Sequence, residues 1–218
     1  MQVTLLQQWV GVAAAMMLLV VFALLAQRHM HALLRWFALQ GIVLALTSAL
    51  VANVADVPEL YISAILALIL KGVLLPWMLW RIVINLGMHR EVEPLVNVSV
   101  TLLIGAALVL FSFYVSLPIE KLSQLVTRNT IAIALACVLL SMLMMITRRK
   151  AITQVVGFLA MENALFFTAT STTYGMPLLV EIGVAFDVLI AALVFGLFFF
   201  QIRKTFDSLN LEDLEDRQ

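Results

Sequence analysis

Seven apolar stretches, each about twenty residues long and joined by short connections, dominate this 218-residue sequence. About 20 residues at 1.5 Å per residue cross the roughly 30 Å of a bilayer's hydrocarbon. A segment in lipid must satisfy its own backbone N–H and C=O groups, and for single spans of this length only the helix does so. The stretches lie near 5–26, 33–54, 60–84, 95–115, 130–146, 152–172 and 177–202, followed by a tail over 203–218. The sequence therefore predicts an all-α fold, a polytopic membrane bundle of about seven transmembrane helices forming one domain over 1–218. Charged residues make up only 12% of the chain, against about 25% in soluble domains, so no water-soluble domain is expected beside the bundle. The run from Leu5 to Ala26 exceeds the roughly 7–15 residues of a signal core, and Met1–Val10 has no Lys or Arg. It reads as a retained span.

Basic residues orient the bundle. Arg28, Arg35, Arg81, Arg90, Arg148, Arg149, Lys150, Arg203, Lys204 and Arg217 fall on one side of a seven-helix arrangement. Lys121 and Arg128 fall on the other. Cytoplasmic loops carry the excess of Lys and Arg, so the N-terminus is expected outside and the C-terminus in the cytoplasm of a bacterial or archaeal cell membrane. A count of six or eight spans would destroy this asymmetry.

Three charges break the apolar pattern at one depth. Lys71 lies about eleven residues into its stretch, and Glu162 and Asp187 about ten into theirs, which puts all three near the bilayer midplane. Glu181 lies about 9 Å nearer the outer side than Asp187 on the same helix. A charge at the bilayer centre costs about 2.5–3.5 kcal/mol, while the apolar residues of Ile152–Thr172 recover roughly 4 kcal/mol. The stretch holding Glu162 therefore inserts best against partners that give the carboxylate something polar to face. Static ion pairs would serve stability no better than apolar residues of the same volume. Ionisable groups inside membranes mostly mark ion or proton pathways, and that is the role expected of Lys71, Glu162 and Asp187. Pro76 has no N–H for the carbonyl of Gly72 and should loosen the helix beside Lys71. Asn163, Gln154, Thr168, Thr170, Ser141, Asn53 and Thr47 are candidates to hold water between the charges or to bond across helices.

Other features have plainer readings. Cys137, the only cysteine, lies in an apolar run and reads as a packing residue. His29, His31 and His89 read as solvated loop residues without ligand spacing. Trp9, Trp36, Trp77, Trp80 and Tyr61 suit interfacial anchoring. Residues 117–126 alternate apolar with polar side chains and suggest a short amphipathic turn on the outer surface. No nucleophile–base pair, phosphate-binding glycine loop, metal-ligand cluster or nucleic-acid-binding pattern is evident. Neither catalytic, cofactor-binding nor metal-ligating residues are therefore assigned. The chemistry this sequence supports is movement of protons or cations.

Met161-Glu162-Asn163 and the run Leu179-Val180-Glu181-Ile182-Gly183-Val184-Ala185-Phe186-Asp187 resemble component E of the hydrogenase-4 type membrane hydrogenases. Lys71-Gly72-Val73-Leu74-Leu75-Pro76 resembles the same family's Lys-to-Pro segment in the third helix. The last three stretches are also similar to subunit K of bacterial respiratory complex I, with Glu162 and Asp187 matching its two buried glutamates by position. The tail from Asp207 to Asp213 resembles the ending of that subunit.

These resemblances imply a membrane subunit, not itself an enzyme, of a redox-driven, proton- or sodium-translocating complex of the formate-hydrogenlyase type. Glu162, Asp187, Lys71 and Glu181 would form its proton relay, supported by Asn163 and Pro76. Arg148, Arg149 and Lys150 would help dock a cytoplasmic hydrogenase arm. Nickel–iron and iron–sulfur centres would sit on partner subunits, with none bound by this chain, and antiporter-like membrane subunits would lie alongside in a hetero-oligomer. Two other readings fit the same charges: a subunit of a multi-subunit cation/proton antiporter, and a structural membrane scaffold.

Overall fold

The structure, a computed structural model, describes residues 2–55, 58–85, 95–122 and 128–172. Helix α1 spans Gln2–Ala26 and α2 spans Met30–Ala55. The third span begins as α3, Glu59–Ala67, passes through a π-helical turn at Leu68–Leu74, and ends as α4, Leu75–Asn85. Helices α5, α6 and α7 follow at Val98–Leu122, Arg128–Thr147 and Ala151–Thr172. Among the described residues, six helical spans are long and apolar enough to cross a membrane. The expected seventh stretch, 177–202, and the tail lie outside the described residues.

The bundle is two facing rows. In one row α6 packs between α5 and α7; in the other α2 packs between α1 and the third span. Helix α1 meets α5 and α6 across the interface, and α2 meets α7. Side chains such as Met17, Leu24, Phe37, Leu140, Leu159 and Phe167 fill the space between the rows. Polarity is arranged inside out. Leu103, Ile62 and Ile146 are exposed where lipid would lie, whereas Gln40, Lys71, Glu162 and Asn163 are buried. This follows from the solvent, since hydrocarbon gives apolar groups no reason to hide and polar groups every reason to.

Hydrogen bonds gather three connections at one end. The Leu95 N–H donates to the Thr147 carbonyl (2.8 Å), and the Arg148 guanidinium donates to the carbonyls of Leu25 (2.7 Å) and Gln27 (3.0 Å). The connections after α1, after α4 and after α6 thus lie together, as the alternation of antiparallel spans requires.

The fourth span starts at Val98, within a few residues of the expected Leu95, where Asn97 accepts from the Ser99 N–H through its side chain (3.3 Å). One expectation is corrected. The span runs on to Leu122, so Leu117–Leu122 extend a membrane helix instead of forming a surface turn.

Close helix contacts depend on glycine. A Cβ on Gly41 would come within 2.5 Å of the Lys71 main-chain carbon and oxygen, so backbone rests on backbone where α2 meets the π-helical turn. A Cβ on Gly157 of α7 would meet Met145 of α6 at 2.8 Å. Small residues let membrane helices approach in this way. Gly41→Ala should lower stability by about 1–3 kcal/mol through overpacking. Gly11→Ala, with open space around it, should be neutral or gain up to about 1 kcal/mol from helix propensity. Thermal unfolding of both variants in detergent checks the contrast.

Candidate functional site

The polar centre of the bundle forms where three helices bring their midpoints together. Glu162 lies at the middle of α7, and Lys71 lies one residue from the middle of the span Glu59–Asn85. The Lys71 ammonium donates to Glu162 Oε1 at 2.8 Å, and both side chains are buried. The Lys71 Nζ also lies 4.9 Å from the centroid of the Phe166 ring. Phe166 is one helical turn beyond Glu162, so one face of α7 offers the ammonium both a carboxylate and an aromatic face.

Helix α2 supplies the third wall. The Gln40 carboxamide donates to the Ala160 carbonyl (3.1 Å) and accepts from the Asn163 carboxamide (3.4 Å). Gln40 and Asn163 are both buried, and Asn163 Oδ1 has no hydrogen-bond partner among the described residues. The amide pair fixes α2 against the stretch of α7 that carries the carboxylate. Directly after Gln40, Gly41 receives the main chain of Lys71. One step of α2 thus orients both neighbours of the ion pair.

The local backbone is unusual at Lys71. The turn Leu68–Leu74 is π-helical, and the Leu75 N–H bonds the Leu70 carbonyl, five residues back. Pro76 follows, buried. A proline removes a donor and crowds the preceding turn, and widening that turn by one residue relieves the crowding. Single π turns recur at functional sites.

The site residues expected from sequence separate clearly. Lys71 and Glu162 are brought together, Asn163 adjoins them through Gln40, and Pro76 adjoins the widened turn. Asp187 and Glu181 lie outside the described residues. The docking role given to Arg148 is corrected, because its side chain is fully buried on the α1 carbonyls. A cation at a helix C-terminus satisfies carbonyls that the helix leaves bare. Burial pulls the Arg148 guanidinium below its ordinary pKa, and it remains a cation at neutral pH. Arg149 is exposed and Lys150 is half-buried.

Several candidate water-holding hydroxyls are occupied. Thr47, Ser141, Thr168 and Thr170 donate to carbonyls three or four residues back in their own helices. Gln154 donates to the Arg148 carbonyl and Asn53 to the Tyr61 hydroxyl. His31 is exposed, as expected, and lies in the first turn of α2 with its ring tilted against Trp80 at 4.8 Å between centroids. Cys137 is buried, as a packing residue would be. Among the described residues, no group of three His, Cys, Asp or Glu side chains gathers as a metal site.

Gln40, Gly41 and Phe166 were missed at the sequence level. A lone glutamine in the middle of an apolar span, followed by glycine, is a legible signal. Phe166 carries none beyond its spacing of four from Glu162.

Known proteins place the chain. It is 35% identical over 209 residues to the uncharacterized protein Rv0085 of Mycobacterium tuberculosis, covering 95% of this chain and 94% of that one. The chain belongs to the Rv0085 family. It is also 26% identical over 179 residues to hydrogenase-4 component E of Escherichia coli, covering 82% of this chain and 83% of the relative. The component E of Shigella flexneri matches to the same extent. No protein-family profile and no solved structure matches the chain.

Two outcomes follow for stability. Lys71→Met alone, which leaves a buried carboxylate without its cation, should cost about 3–5 kcal/mol, and adding Glu162→Leu should recover most of that loss. A double-mutant cycle by unfolding in detergent measures the coupling. Arg148→Gln should cost about 1.5–3 kcal/mol through its charged hydrogen bonds. The exposed neighbour variant Arg149→Gln should stay within about 0.5 kcal/mol in the same measurement.

Proposed function

We propose that the chain is a membrane subunit of a hydrogenase-like complex, not itself catalytic, and that Glu162 transfers protons or sodium ions across the bilayer midplane. The observation that carries this reading is the buried Lys71–Glu162 pair at mid-span, 2.8 Å apart. A pair kept only for stability has no advantage over apolar packing, whereas ionisable groups at this depth belong mostly to ion and proton paths. The likeness to hydrogenase-4 component E supplies the class of complex.

In this mechanism Glu162 carries the mobile proton and Lys71 tunes its release. When the carboxylate is charged, the ammonium stabilises it, and the Phe166 face in turn stabilises the ammonium. When it takes up a proton, the ammonium loses its strongest partner, so uptake is coupled to a change at Lys71. The widened turn lets the lysine side chain respond without the apolar stretches around it unpacking. Gln40 and Asn163 keep the acceptor face of α7 in register.

Asp187 continues the path from Glu162, and Glu181 leads it toward the outer side, the last three spans acting as subunit K of complex I does. Arg149 and Lys150, at the end where the basic connections gather, help dock a cytoplasmic arm carrying the nickel–iron and iron–sulfur centres. Antiporter-like subunits flank the bundle, and the N-terminus faces outward.

The test uses the intact complex in vesicles. Lys71→Met/Glu162→Leu should assemble normally yet abolish redox-coupled ion uptake, and Glu162→Asp should retain part of it. Normal coupled uptake by the double variant would overturn the proposal and leave a scaffold. Exchanging sodium for potassium then distinguishes the coupling ion.

A further inference from the structure

A second feature lies away from the ion pair, at the end where the basic connections gather. Between α2 and α4 the surface opens into a groove of about 500 Å³. Arg35 and Ala38 of α2 form one wall, and Pro76, Trp77, Trp80 and Arg81 of α4 form the other. Arg35 is five residues beyond Met30, the first of α2, and Arg81 is four short of Asn85, the last of α4. In antiparallel helices these offsets put the Cα atoms of both arginines about 6–8 Å inside the same end of the bundle. That is the level of headgroups and the upper acyl chains.

The chemistry of the groove is selective. Among the described residues that line it are two cations and no acid. Arg35, Trp77 and Arg81 are exposed, and the Arg81 guanidinium lies 5.5 Å from the centroid of the Trp77 ring. This contact lays the cation along the apolar wall instead of letting it extend into water. Trp80 also contacts the His31 ring, 4.8 Å between centroids. Below the cations, Ala38 and Pro76 leave an apolar slot. Guanidinium pairs match phosphate oxygens, indoles prefer headgroup level, and basic pockets between spans suit anionic lipids.

We propose that this groove binds one anionic phospholipid, with its phosphate between Arg35 and Arg81 and an acyl chain along Ala38 and Pro76. The inference is independent of proton transfer at Glu162. It places a lipid against the proline that follows the π-helical turn.

The test is native mass spectrometry of the full chain purified from cell membranes in mild detergent. Wild type should retain phosphatidylglycerol or cardiolipin in preference to phosphatidylethanolamine. Arg35→Gln/Arg81→Gln should lower that retention about tenfold or more. Ala38→Trp, which fills the slot and keeps both charges, should lower it as well. Equal retention of anionic and zwitterionic lipid by wild type overturns the proposal, as does undiminished retention in both variants. Should the variants not fold, delipidated wild type still decides. Added phosphatidylglycerol should raise its unfolding temperature while phosphatidylcholine and inorganic phosphate do not. Equal effects of all three overturn it. A photo-reactive group at Ile84 in the native complex should crosslink to lipid. A crosslink to a protein neighbour instead shows that a partner covers the groove, and the proposal falls.

Discussion

A lysine and a glutamate meeting in the middle of a membrane impose conditions on everything around them. Each charge alone would strain the insertion of its own helix, and together they need a surrounding of fixed dipoles to be worth burying. Here the surrounding is shared by three spans. Helix α7 gives the carboxylate and an aromatic face, the third span gives the ammonium, and α2 gives a carboxamide that ties itself to α7. None of these helices can shift far without exposing a charge to lipid tails.

The same demand explains the backbone. Lys71 reaches its partner from a turn widened ahead of Pro76, and that turn rests on Gly41 with no side chain between. A larger residue at position 41 would hold the helices apart and lengthen the ion pair. The remaining hydroxyls of the interior are mostly spent inside their own helices. Among the described residues, polar side-chain contact between helices at mid-span is therefore concentrated at the pair and its amide support, with Arg148 bridging connections at one end.

The sequence disclosed much of this, unevenly. Apolar length alone located the six described spans, because in lipid a helix is the only outcome for such segments. The mid-helix positions of Lys71 and Glu162 followed from counting residues along their stretches. Their direct contact did not, since depth says nothing about which helices are neighbours. Gln40 was legible as a polar residue out of place but went unread. Arg148 misled for a different reason. A basic residue in a loop looks solvated unless the bare carbonyls of a distant helix end are known to lie beside it, and Leu25 and Gln27 are more than a hundred residues away in sequence. The amphipathic reading of 117–126 failed in part because alternation over so few residues does not distinguish a surface turn from the last turns of a long helix.

The contact at Gly41 also limits how the centre of the bundle can operate. With its peptide wedged against another main chain, Lys71 is anchored at Cα, so sliding or rolling of the whole helix is closed to it. Beyond that root, the four-methylene arm carries the ammonium to Glu162. In the cycle proposed at Glu162, movement therefore falls to that arm, turning about a root held by the backbone contact at Gly41.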